Sequence, residues 1–311
     1  MIQVRNTLFL AVAWLCSMPG AADASVKGDS ERSWVRYEND YFEAYSDVPQ
    51  SEALLLLEDL ENFRAAMTDY DGSRVPEGSK KTRVIIFASK EDFIDATHHP
   101  LAEAFTLGID GAPHIVMSAE AKPEWLSTTL RHEFVHVLQG YAGDQLPWWY
   151  FEGFAECMSA IEFREENNEF VVGQPTIRSR SKRSFIPWSE LIAEDFALDE
   201  VASAKQASSA YFQAGLLVRY VLVGDDRAYR GRVTEYLERV TGGESSAKAF
   251  EAVFEEAVDE FATRVYKQRR KSIKPQSYKF QPEVAKRDFL ASDTARPVVQ
   301  KMIDALRAQG P

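Results

Sequence analysis

Two histidines four residues apart with a glutamate beside the first, His132-Glu133-Phe134-Val135-His136, form the stretch of this chain best suited to chemistry. On a helix, side chains at i and i+4 stack on one face, so both imidazoles can reach a single ion. Glu133, one position along, is rotated by about 100° and can stand beside that ion as a general base without binding it. Five residues with three fixed also recur by chance. The flanking sequence has to choose between a metal site and two core histidines with a surface glutamate between them.

That flanking sequence reads as a helix. Pro123 suits a first helical turn and Gly140 suits a C-terminal cap. Between them Leu126, Leu130, Phe134 and Val137 form an apolar stripe, with Trp125, Thr129, His132 and His136 on another face. Pro147 opens a second predicted helix, WWYFEGFAECMSAIEF, which carries Glu152 and Glu156, again four apart. A catalytic zinc takes three protein ligands and keeps one position for water. His132, His136 and Glu152 meet that need, and Glu156 is expected to orient a ligating histidine through its other ring nitrogen. The exchanged assignment, Glu156 as ligand and Glu152 as support, uses the same residues. Gly153, weak in a helix interior, suggests a close approach of two helices.

The pattern HEFVH followed by Trp149-Tyr150-Phe151-Glu152-Gly153-Phe154-Ala155-Glu156 resembles the gluzincin metallopeptidases, whose third ligand lies in an E-G-x-A helix after HExxH. More closely, the chain is similar to the peptidase-MA-like bacterial proteins of unknown function. These also carry an F-x-x-x-S-D strand, here within Tyr41–Asp47, then a long helix and a segment such as Val84–Phe93. The likeness runs from residue 34 to residue 270.

The resemblance also implies a downstream tyrosine that donates to the developing oxyanion. Tyr211, in Ser-Ser-Ala-Tyr-Phe-Gln-Ala-Gly, holds a corresponding position, although a tyrosine there can equally be a packing residue. Tyr150 and His114 are the other candidates, and His98 and His99 are expected at the surface. One departure matters. Aminopeptidases of this clan grip the substrate amine with the glutamate of a G-x-M-E-N strand, and Gly111–Met117 has no glutamate. Endopeptidase action or narrow processing is therefore favoured. His114–Ser118 is expected to be a strand whose edge could pair with an extended peptide.

The ends and the composition bear on compartment. Arg5, the apolar run Leu8–Leu15 and the small residues Ala22-Asp23-Ala24 have the layout of a secretory signal, with cleavage after Ala24. The run is short for a bilayer span, and Leu15 is not the small residue expected before a lipidated Cys16. A periplasmic or secreted bacterial protein without a stable membrane span is expected. Loss of residues 1–24 removes Arg5 and Asp23, so the net charge stays at −12, which disfavours nucleic acid as a partner. Cys157 is then the one cysteine left, so no internal disulfide is expected.

The expected architecture is α+β: a small N-terminal mixed sheet with helices over 25–118, then a mostly helical zincin-type lobe over 119–272, with the active-site cleft between them. A C-terminal extension covers 273–311. Strands are expected at 83–88, 104–108, 114–118 and 169–173, with an extended pair around Tyr37 and Phe42. Helices are expected at 51–70, 188–194, 204–223, 227–240, 246–272 and 296–308, plus a short one capped by Ser89. Phe250, Val253, Phe254, Val258, Phe261 and Val265 are spaced as a core face. Arg178–Arg183 reads as a solvated basic loop.

Three functions fit these residues. The first is a zinc metallopeptidase acting on peptides or proteins, with one Zn2+ ion on His132, His136 and Glu152, Glu133 as base and Tyr211 at the oxyanion. The second is a binding or assembly protein that keeps the metal without turnover. The third is a zinc hydrolase of a non-peptide amide. Intact Glu133 favours an enzyme, because a purely structural metal needs no base.

Overall fold

The computed structural model describes residues 33–100, 102–120, 123–142, 146–174, 184–198, 203–224, 228–269, 273–281, 289–293 and 296–308. The signal segment and the basic loop expected from the sequence lie outside the described residues. The fold is mixed α and β, and the chain divides into two compact units.

The first unit takes the described chain up to Arg64, then Val75–Val137, then the segment after 283. Its centre is a six-stranded mixed sheet in the order β4-β5-β3-β2-β1-β9. The strands are β1 (Val35–Glu38), β2 (Phe42–Ser46), β3 (Thr82–Phe87), β4 (Ala104–Ile109), β5 (Ala112–Ser118) and β9 (Leu290–Asp293). β2, β3 and β5 run parallel, and β4, β1 and β9 pair antiparallel with their neighbours. Parallel neighbours need a crossover, which helix α1 (Gln50–Asp71) supplies between β2 and β3. α2 (Lys90–Thr97) starts at Ser89, whose hydroxyl accepts from the Asp92 N–H as the sequence suggests.

Alternation sorts the side chains to the two faces of this sheet. Ile85, Phe87, Phe105, Leu107, Ile109 and Val116 enter a core shared with α2 and with Leu306 of the C-terminal helix, α10 (Arg296–Ala308). On the other face Phe42 packs against Phe134 of α3 (Pro123–Ala142), with ring centroids 5.3 Å apart, and Phe63 of α1 lies 6.4 Å from the same ring. These contacts draw the first part of α3, with both histidines, into the unit of the sheet. α3 also continues through Gly140 to Ala142, so that glycine is not its cap.

Two further expectations change. β5 is an interior strand, flanked by β3 and β4, so the sheet edge on that side is β4. The segment read as a C-terminal extension supplies β9 to this sheet, in register with β1.

The second unit comprises Ala65–Arg74 and Leu138–Pro282. α4 (Trp148–Ser159) stops four residues short of the predicted helix, whose end forms β6 (Glu162–Arg164) instead. β6 joins β7 (Glu169–Val172) and β8 (Gln276–Lys279) in a small antiparallel sheet. The helices are α5 (Trp188–Leu191), α6 (Ala204–Val223), α7 (Ala228–Thr241), α8 (Ser246–Phe254) and α9 (Val258–Gln268). The helix expected over 246–272 is thus two, broken where Glu255 adopts φ +58°. The face expected to be core is buried on both, with Phe250 at 1 % exposure and Phe261 at 0 %. No helix among the described residues is long and apolar enough to cross a membrane.

Candidate metal centre

α3 carries His132, Glu133 and His136 in its most enclosed part. Every residue from Thr129 to Gln139 is buried, so the helix is covered almost all round rather than along one stripe. His132 and His136 present their rings to each other at a centroid distance of 4.8 Å, and their Nε2 atoms are 3.1 Å apart. The i,i+4 spacing is sufficient to produce that meeting. The Arg131 guanidinium, one residue before, holds Asp59 of α1 with an Nε–Oδ2 distance of 2.7 Å and ties this turn of α3 to its neighbour.

Glu152 lies in the middle of α4. Its carboxylate and the two imidazoles each offer a ligand atom, and these atoms all lie within 4.8 Å of one another, in residues that are all buried. This His-His-Glu group could hold a metal ion. Glu156, one turn further on and also buried, is not part of it.

The close contact of α4 with α6 sets where Glu152 stands along its helix. A Cβ on Gly153 would meet the Ala214 carbonyl oxygen at 2.5 Å and the Val218 Cγ2 at 2.7 Å. Gly215 of α6 makes the reciprocal approach: a Cβ there would be 2.9 Å from Glu156 Cβ. The close approach suggested by Gly153 is therefore made with α6. At the N-terminal end of α4, Trp149 Nε1 donates to Tyr236 Oη at 2.9 Å, and at its other side the Gln139 side-chain amide donates to the Phe151 carbonyl at 2.9 Å. Gln139 belongs to the same helix as the histidines, so this bond fixes the α3–α4 junction one residue before Glu152.

Glu133 is fully buried. A carboxylate out of water needs hydrogen-bond donors. One comes from Thr106 of β4, whose hydroxyl is 2.8 Å from Glu133 Oε2 and 2.9 Å from the Glu133 main-chain oxygen. Sequence reasoning did not find Thr106. It lies 27 residues upstream, and no spacing rule links a strand threonine to a helix glutamate.

The oxyanion candidates separate. Tyr211 is buried two turns into α6 rather than opening it, its ring 5.5 Å from that of Trp148 at the start of α4. Tyr150 stacks on Phe154 at 5.8 Å. His114 stands opposite Leu107 in the β4–β5 register, whereas Thr106 stands opposite Ile115. Cross-strand pairs share a face, so His114 points to the face of the sheet away from Glu133. It is held there by its own turn, with Nδ1 3.0 Å from the Ala112 carbonyl, and burial pushes its pKa down to about 4. His98 is exposed at the left-handed cap of α2 and His99 is half-buried against Phe105. Cys157 is enclosed, and burial pushes its thiol up to about 12, which leaves it un-ionised and unreactive at neutral pH.

No family model matches this chain, and no curated protein matches it.

Proposed function

We propose that this protein is an exported zinc metallopeptidase of gluzincin type, an endopeptidase or a processing enzyme of narrow specificity. The observation that carries the reading is the convergence of His132, His136 and Glu152 around a helix that also presents Glu133. Two nitrogens bound tetrahedrally to zinc at about 2.0–2.1 Å stand about 3.3 Å apart. The 3.1 Å between the two Nε2 atoms fits that geometry. Two imidazoles and one carboxylate form a borderline donor set suited to zinc, and three protein ligands leave a fourth position open.

When bound, zinc would polarise the scissile carbonyl and lower the pKa of the attacking water. Glu133 takes a proton from that water as its oxygen bonds to the carbonyl carbon. It then passes the proton to the nitrogen that leaves when the C–N bond breaks. The enclosure of α3 keeps bulk water from competing for that proton. Tyr211 is assigned to the oxyanion by the family resemblance, and Glu156 to support of a ligand. The substrate backbone would pair along β4, one of the two edge strands of its sheet. The absence of a glutamate in Gly111–Met117 removes the usual amine anchor and supports internal cleavage.

The test is Glu133→Gln. Zinc content should stay near one equivalent while cleavage of a peptide library falls by about 100- to 10,000-fold. Wild type and variant alike on such a library would defeat the peptidase reading and leave a metal-holding binding protein. Loss of activity confined to cell-wall amide fragments would move the same chemistry to a non-peptide substrate.

A further inference from the structure

We propose that Thr106 is the positioning residue of the Glu133 carboxylate, a role that rests on the peptidase reading above. Alternation gives the α3-facing side of β4 to Ala104, Thr106 and Gly108, and the other side to Phe105, Leu107 and Ile109. The Thr106 hydroxyl is thus the one polar side-chain group that this strand directs at α3. Its single proton faces two of the Glu133 oxygens, Oε2 at 2.8 Å and the main-chain oxygen at 2.9 Å.

Glutamate has three side-chain torsions, and a base must hold its oxygen within a few tenths of an ångström of the proton it takes. A donor fixed on Oε2 removes that freedom. It also distinguishes the two oxygens, since Oε2 is the one held by the strand. A hydroxyl on a β-branched side chain suits the purpose, because Thr has few χ1 states on a strand.

The location adds a consequence. β4 is one of the two edge strands of its sheet, the one from which Thr106 reaches Glu133, and in this scheme an extended peptide would pair there. Base and substrate are then both referenced to one strand, and a shift of that strand carries them together. The Thr106 side chain touches neither the metal ligands nor the reacting atoms in this scheme. Its effect passes through Glu133 and should appear in kcat rather than in KM or zinc content.

The experiment uses the full mature chain. Thr106→Val keeps the shape and removes the hydroxyl, and Thr106→Ser keeps the hydroxyl. With zinc loaded, Thr106→Val should retain about one equivalent of metal and a KM within about twofold of wild type. Its kcat should drop by about 10- to 100-fold, the scale of one charge-assisted hydrogen bond. Thr106→Ser should stay within about threefold of wild type. In parallel, thermal unfolding of the metal-free protein is followed for Thr106→Val, Glu133→Met and the double variant. Thr106→Val should lower Tm in the wild-type background and much less in the Glu133→Met background, a readout independent of turnover.

Wild-type kcat in Thr106→Val, or equal losses in the Val and Ser variants, would overturn the positioning role while leaving the peptidase reading intact. Equal Tm drops in both backgrounds would overturn the contact itself. A zinc-loaded wild type that cleaves nothing would overturn the peptidase reading and the positioning role with it.

Discussion

Gly153→Ala sets two known effects against each other. Within a helix, alanine in place of glycine is favoured by about 0.8–1.0 kcal/mol, and α4 would stiffen. Against this stands the wall of α6. The new Cβ would lie 2.5 Å from the Ala214 carbonyl oxygen, 2.7 Å from its carbon and 2.7 Å from Val218 Cγ2, whereas ordinary contact begins near 3.4 Å. Two of the three atoms are backbone and cannot swing aside, so α4 and α6 must part locally by about 0.9 Å, the difference between 3.4 and 2.5 Å. Overpacking of this kind costs about 1–3 kcal/mol, more than the helix gains. The adjacent residue is Glu152, and metal–ligand distances tolerate only about 0.2 Å. The expected result is a metal-free Tm a few degrees below wild type and zinc affinity reduced by about tenfold or more. Circular dichroism melts of the metal-free protein and chelator competition for zinc measure the two. A Tm at or above wild type with unchanged zinc affinity would mean that intrinsic helix preference alone decides, and the close α4–α6 contact would be refuted.

Glu152→Ala should lower zinc content by more than tenfold and Glu156→Ala by much less, because Glu152 and not Glu156 shares the histidine group. The reverse order in metal analysis would exchange the two carboxylates. Acid stability has a separate source in His114, whose pKa burial lowers from 6.5 to about 4. The unfolded chain takes up this proton first. Stability from the buried neutral ring is therefore complete above pH 6.5 and falls as pH drops towards 4. Between pH 7 and pH 5 this amounts to about 2 kcal/mol. Urea unfolding of wild type and His114→Leu at both pH values checks this, and an equal acid loss in both would rule out His114 as the cause.

The legible parts of the fold were those whose signals are local. α1, α6 and α10 follow from apolar spacing and lie within a residue or two of expectation, and α2 follows from its Ser89 cap. The break between α8 and α9 was not legible, because Glu255 takes a left-handed conformation that its residue type does not favour. β8 and β9 were missed for a related reason. They are four residues each, with no apolar alternation, and become strands only through pairing with β7 and β1.

The candidate site divides in the same way. The His132–His136 pair and the glutamate beside it were legible in the sequence, because one helical turn brings i and i+4 together wherever the helix lies. The sequence also supplied Glu152 and Glu156 on a second helix, but both glutamates lie on one face, and periodicity cannot choose between them. Tertiary structure decided the rest. Glu152 meets the histidines, Gly153 fits against the Ala214 backbone, β4 rather than β5 becomes the sheet edge, and Thr106 reaches Glu133. Each of these joins residues far apart in sequence, where the chain's own periodicities carry no information and only the packing of whole elements sets the distance.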